Sequence, residues 1–164
     1  MNIYLDMDDV VADWTGYARA YLKMEWPLGQ PLSDENWHSL KADQRMYRNL
    51  CLKEGAVDLV NWCRRYKAKT GCGLFFLTAV PKRNDMPWSF QDKVLWAAEY
   101  FPDIPVFFGP YSHDKWIRCK NPDDILIDDR QSNNEEWICQ GGLSHTYTTW
   151  PDCKLWLEAH LGVI

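Results

Sequence analysis

Five short apolar runs punctuate the chain, and they constrain its fold more than any other feature. They are residues 2–6 (NIYLD), 73–78 (GLFFLT), 105–109 (PVFFG), 124–128 (DILID) and, less sharply, 143–148. Most are almost continuously hydrophobic rather than alternating, the pattern of strands buried on both faces of a parallel sheet. Between them lie stretches of helical period. Residues 56–69 place Val57, Val60, Cys63 and Tyr66 or Lys67 at three- and four-residue spacing. Residues 89–101 open on Ser89 as a capping candidate and set Phe90, Val94, Ala97 or Ala98, and Phe101 on one predicted face. A third helix is predicted over 132–140, carrying Trp137 and Cys139 before Gly141-Gly142, and a fourth over 152–161, between Pro151 and Gly162.

Alternating strand and helix predict an α/β fold, a doubly wound (Rossmann-like) parallel sheet of about five strands. The stretch between the first two strands is too long for one crossover. Residues 10–24 read as a helix, 26–31 (WPLGQP) as a breaker-rich loop and 33–50 as helical again. The expected division is therefore a core of residues 1–13 and 54–164, with 14–53 inserted as a small helical cap over the carboxyl edge of the sheet.

The chain has 164 residues, which fits one compact domain with a small insertion. Its net charge is −5, and its densest basic clusters, Arg64-Arg65-Tyr66-Lys67 and Lys82-Arg83, are short. A long polyanion is usually gripped by a basic face, so a small phosphorylated substrate is expected and a stable nucleic-acid complex is not. Ten tryptophans are many for this length and suggest flat aromatic walls as well as core. The six cysteines form no C-x-x-C pair and match no zinc spacing. The amino terminus runs straight into a strand, and no apolar run is long enough to span a bilayer. A cytoplasmic protein with reduced thiols and no membrane contact is expected.

Chemistry gathers at the strand ends. Strands one, two and four finish at Asp6, Thr78 and Asp128-Asp129, and open parallel sheets bind ligands outside the carboxyl ends of their strands. Asp6 and Asp8 stand two apart where a strand becomes a loop, and Asp128-Asp129 adds charge at the same edge. Such a cluster, read with no arginine beside it, calls for a hard divalent cation, and oxygen ligands favour Mg²⁺.

These segments resemble the haloacid dehalogenase (HAD) superfamily of phosphatases and, within it, the 5′(3′)-deoxyribonucleotidases. The family's opening motif D-M-D-G-V-x-A-D-aromatic stands here as Asp6-Met7-Asp8-Asp9-Val10-Val11-Ala12-Asp13-Trp14. Its apolar strand ending in Thr matches Leu74–Thr78, and its L-I-D-D-R motif matches Leu126-Ile127-Asp128-Asp129-Arg130. The preceding Asp114-Lys115 and the Gly55-Ala56-Val57 before strand two are also similar. The chain departs from the pattern at Asp9, where members often have Gly, and at Ala79, where they often have Ser. Asp9 is expected to point outward.

The resemblance implies roles. Asp6 would be the nucleophile and Asp8 the general acid and base. Mg²⁺ would rest on the Asp6 side chain, the Asp8 backbone carbonyl and the last motif, with Asp129 favoured over Asp128. Thr78, the backbone at Ala79, and Lys93 or Lys115 would hold the phosphate, with Lys93 favoured and Lys115 expected near Asp129. Trp14, Trp37 and Tyr47 would supply base-facing aromatics, and Lys82 would line the entrance. A nucleoside monophosphate is the implied substrate, a pyrimidine deoxynucleotide first. Because members often dimerise, a homodimer is a further expectation. The same core would also serve a phosphatase for a sugar phosphate or a nucleic-acid end. A phosphorylation-switched receiver domain gathers similar residues, but there the acidic pair comes first and the Thr follows the phosphorylated Asp. A dehalogenase would have no use for an acid at Asp8.

Overall fold

The computed structural model describes residues 1–25, 32–81, 86–109 and 111–164. Five parallel strands form one sheet: β1 (Asn2–Leu5), β2 (Gly73–Thr78), β3 (Val106–Phe108), β4 (Ile125–Asp128) and β5 (Leu143–Thr146). Their order is β3-β2-β1-β4-β5. The chain therefore winds outward from β1 in one direction, then returns to β1's other side. That reversal falls between β1 and β4, where doubly wound sheets open a ligand crevice. Register is tight there: Leu5 lies opposite both Phe76 and Ile127, and the Asp6 N–H donates to the Ile127 carbonyl at 2.9 Å.

The strand period of two divides the core. Ile3, Leu5, Leu74, Phe76, Ile125 and Ile127 face the larger apolar cluster. It is closed by α3 (Ala56–Thr70), α4 (Ser89–Tyr100) and α6 (Trp150–Leu161). Tyr4, Leu77 and Leu126 face the opposite side, where Trp137 of α5 (Gln131–Cys139) and Cys119 pack. Trp62, Trp96 and Trp137 are fully buried, so part of the tryptophan excess is core. At the amino end of the sheet, buried Asp124 accepts from the Asn2, Lys120 and Asn121 N–H groups at 2.8, 3.0 and 3.0 Å.

Between β1 and α3 lie α1 (Trp14–Leu22), α2 (Asp34–Lys41) and a 3₁₀ turn, Met46–Arg48. The helix expected over 10–24 begins only at Trp14. Asp9 adopts φ 58, and the Met7 carbonyl gathers the N–H groups of Val10, Val11 and Ala12 into a tight turn before Asp13 caps α1. The helix expected over 33–50 starts as foreseen, with Ser33 as its cap, but ends at Lys41. Asp43 then accepts from the Arg45 N–H and starts a new turn. The loop expected over 26–31 lies outside the described residues. Both ends of the insertion meet: Ala12 bridges Leu52, Asp13 N–H donates to Cys51 O at 2.9 Å, and Lys53 N–H donates to Val11 O at 2.9 Å.

Two helix faces differ from expectation. Val57 of α3 is exposed, while Leu59 and Trp62 are buried beside Val60, Cys63 and Tyr66. Of the face predicted on α4, Phe90 and Val94 turn outward, 42% and 44% exposed, while Ala97 and Phe101 are buried. Ser89, Asp92, Lys93 and Trp96, outside that predicted face, are buried with them. Ser89 is inside the helix rather than its cap, which is Trp88. The polar partners of Lys93 decide this rotation, because an ammonium enters the interior only where charges and hydrogen bonds receive it. Phe90 retains a ring contact with Phe108 at 4.9 Å.

Candidate active site

β1 and β4 are adjacent and parallel, so Asp6, just past one, and Asp128, at the end of the other, share the sheet edge. Asp6, Asp128 and Asp129 each offer an oxygen, and these lie within 4.8 Å of one another. Lys115 reaches in from the 3₁₀ segment Ser112–Arg118. Its Nζ stands 2.8 Å from Asp6 Oδ1 and 2.6 Å from Asp128 Oδ2. The expected neighbour of Lys115 was Asp129; its partners are Asp6 and Asp128. The pairing follows from burial: Asp128 is wholly enclosed and needs a counter-charge where it stands. Asn133 Nδ2 also donates to both Asp128 oxygens at 2.9 and 3.0 Å, and the Arg130 N–H donates to Oδ1 at 2.9 Å. Asp128 is thus saturated, whereas Asp129 has no ion pair among the described residues.

Electrostatics record the crowding. Burial first, then Asp128 and Asp8, lift the Asp6 pKa to about 6 against the pull of Lys115 and Lys93. Burial and the charges of Asp6 and Asp128 lift Asp129 to about 8. Oxygen-only donors that repel one another in a partly dry pocket fit a divalent cation, whose charge would relieve them. The Asp8 side chain stands apart from this cluster. Its Oδ2 takes a 2.7 Å hydrogen bond from Lys93, and its buried Oδ1 has no hydrogen-bond partner.

Lys93 also donates to Thr78 Oγ1 at 2.8 Å, so the helix after β2 brings its lysine to the strand-two threonine. Both Lys93 and Lys115 are 1% exposed, so neither is a solvated surface lysine. Ala79 is half-buried just beyond Thr78. Trp14 and Trp37 pack ring on ring at 5.8 Å. Tyr47 is buried with its ring on Lys93. Lys82 lies outside the described residues.

Asp9 does turn from the cluster. It accepts from the Thr15 N–H at 3.0 Å and Oγ1 at 2.5 Å, and Lys53 approaches it at 3.3 Å. Its positive φ explains why a glycine would serve at this position. Arg130 corrects the reading of a cluster without arginine. Burial works against its charge, but Asp129, Asp6, Asp8 and Asp128 together raise its pKa. Asn133 and Lys53 were also missed. Asn133 stands five residues after Asp128, in the first turn of α5, close enough in sequence to have pointed to it.

No family model matches the chain. The chain is 28% identical over 152 residues to the 5′(3′)-deoxyribonucleotidases of Bacillus subtilis (strain 168) and of Bacillus phage SPbeta, covering 82% of this chain and 79% of each relative. A hydrolase from Streptococcus pneumoniae superposes with a TM-score of 0.54 at 15% identity, over 96% of this chain and 97% of that one. A HAD-hydrolase from Bacillus subtilis, YfnB, crystallised bound to magnesium, gives 0.51 at 14% identity over 87% and 86%. The fold is that of the HAD hydrolases. Within that fold the chain resembles the 5′(3′)-deoxyribonucleotidases. Asp6 follows directly on β1, the central strand of the sheet. Among the described residues no helix is long and apolar enough to cross a membrane, and all six cysteines are free.

Proposed function

We propose that this chain is a magnesium-dependent phosphomonoesterase for nucleoside monophosphates, a 5′(3′)-deoxyribonucleotidase working through an aspartyl-phosphate. The observation that carries this reading is the convergence of Asp6, Asp128 and Asp129 with two buried lysines at one sheet edge. The resemblance to deoxyribonucleotidases points to the substrate class.

Asp6, Asp129 and the Asp8 backbone carbonyl would hold Mg²⁺. The ion would offset the charge of Asp6 and of the transferring phosphoryl group. Asp128 serves in this reading chiefly to seat Lys115. The Asp6 carboxylate oxygen bonds to phosphorus as the ester P–O bond breaks, and the departing alkoxide takes a proton from Asp8. Asp8 then removes a proton from water, whose oxygen attacks phosphorus. The P–O bond to Asp6 breaks, inorganic phosphate leaves and the Asp6 carboxylate is restored. Lys93, Thr78 and the Ala79 backbone steady the phosphate oxygens. Residues 14–53 act as the cap, and Trp14 and Trp37, whose rings meet at 58°, give it an aromatic corner.

Phosphate release from a panel of ribo- and deoxynucleoside monophosphates with Mg²⁺ tests the reading. Turnover of one or more nucleotides, abolished in Asp6→Asn, is expected. Turnover of sugar phosphates with no nucleotide hydrolysed would overturn the substrate assignment.

A further inference from the structure

Tyr47 touches both halves of the site without belonging to the carboxylate cluster. Its ring lies 4.6 Å from Lys93 Nζ, the ammonium that also bonds Asp8 Oδ2 at 2.7 Å and Thr78 Oγ1 at 2.8 Å. The Trp14 side chain lies near the Tyr47 hydroxyl. Trp14 in turn packs on Trp37. Tyr47 therefore stands between the cap aromatics and the lysine at Thr78.

The turn that carries Tyr47 is fastened to the helix that carries Lys93. Arg45 pairs with Asp92 at 3.3 Å, Arg48 with Glu99 at 2.8 Å, and the Trp96 indole donates to Leu50 O at 2.7 Å. All three partners belong to α4. Tyr47 is only 3% exposed, and the ring is held against the ammonium. A lysine stem has four rotatable carbons, so an ammonium with two oxygen partners still has freedom to swing. An aromatic face supplies a third, non-competing restraint, because it attracts the cation without taking one of its strong hydrogen bonds.

We infer that Tyr47 is a positioning residue: its ring holds the Lys93 ammonium between Asp8 and Thr78. The inference rests on the proposed function for the role of Lys93 at the phosphate. A nucleobase would be a competing use of this ring, but the ring is buried and already seats the ammonium.

Tyr47→Leu and Tyr47→Phe separate the possibilities, assayed with Mg²⁺ on a deoxynucleoside monophosphate and on glycerol phosphate, which has no base. Tyr47→Leu is expected to lower kcat about tenfold on both substrates with KM changed less than about twofold. Tyr47→Phe keeps the ring and should restore glycerol phosphate turnover to within about twofold of the parent. A higher KM for the nucleotide alone, with glycerol phosphate turnover unchanged in Tyr47→Leu, would show a base wall and overturn the inference. So would Tyr47→Phe as slow as Tyr47→Leu on glycerol phosphate. A second readout is the ring-current shift of the Lys93 Hε protons in ¹³C-lysine-labelled protein. It should be upfield in the parent and in Tyr47→Phe, and its absence from the parent would overturn the inference even if Tyr47→Leu does not fold. Should the parent hydrolyse neither substrate, the proposed function fails, while the lysine resonance still decides the place of Tyr47.

Discussion

Among the described residues Lys115 is the one ammonium paired with both Asp6 and Asp128, and all three side chains are buried. Removing one partner of a buried ionic set leaves the others desolvated without compensation. Lys115→Met is therefore expected to destabilise the fold by about 3–5 kcal/mol, read from the urea midpoint. An unchanged midpoint would show that the two carboxylates find other relief. Asp8 differs, because its partner Lys93 also has Thr78 and its Oδ1 has no hydrogen-bond partner. Asp8→Asn should fold normally and lose at least about 100-fold in kcat, the scale of general acid–base catalysis. A variant that keeps parental turnover would remove Asp8 from the reaction. The residue identities at the strand ends were legible because neighbours in sequence carry them. The Lys115 partnership was not, since residues 6, 115 and 128 meet only through strand order.

At the scale of elements, the strands were easier to read than the helices. A continuous apolar run looks the same from either face of a sheet, so β2 matched its expected bounds to the residue. A helix must choose one face, and the first half of α4 turned Phe90 and Val94 of its predicted face outward. Lys93 carries the information that overrides periodicity, but only once its partners on β1's loop and β2 are known. The rotation can be tested. Trp96→Ala should cost about 3–5 kcal/mol, because it empties a fully buried site and frees the Leu50 carbonyl. Val94→Lys, on the stripe once expected inside, should stay within about 0.5 kcal/mol of the parent. Equal losses in thermal unfolding would place Val94 in the core after all. The early end of α2 and the late start of α1 share a cause: aspartates at 9, 13 and 43 compete locally for backbone N–H groups.

The whole molecule sets its cluster of like charges at the reversal of strand order, which no single segment could reveal. A fold that keeps three carboxylates together is less stable than it would be with a cation among them. Saturating Mg²⁺, at about 100 times its dissociation constant, should add about 2.7 kcal/mol to the unfolding free energy. For a domain of this size that is a rise of about 5–10 °C in Tm. Asp129→Asn should lose the rise, while chelation with EDTA should remove it from the parent along with activity. An Mg²⁺-independent Tm would place the cation elsewhere.

The backbone bridge between Ala12 and Leu52 has a consequence for ancestry and engineering. Because the excursion leaves the turn after β1 and reaches α3 at one clasped point, its contents can be exchanged without resetting the register of any strand. A graft that keeps the clasp, and the α4 contacts of Arg45 and Arg48, could carry a different wall over the same chemistry. Substrate preference in such a chain would evolve by replacing a module, while the aspartates beneath it stay where they are.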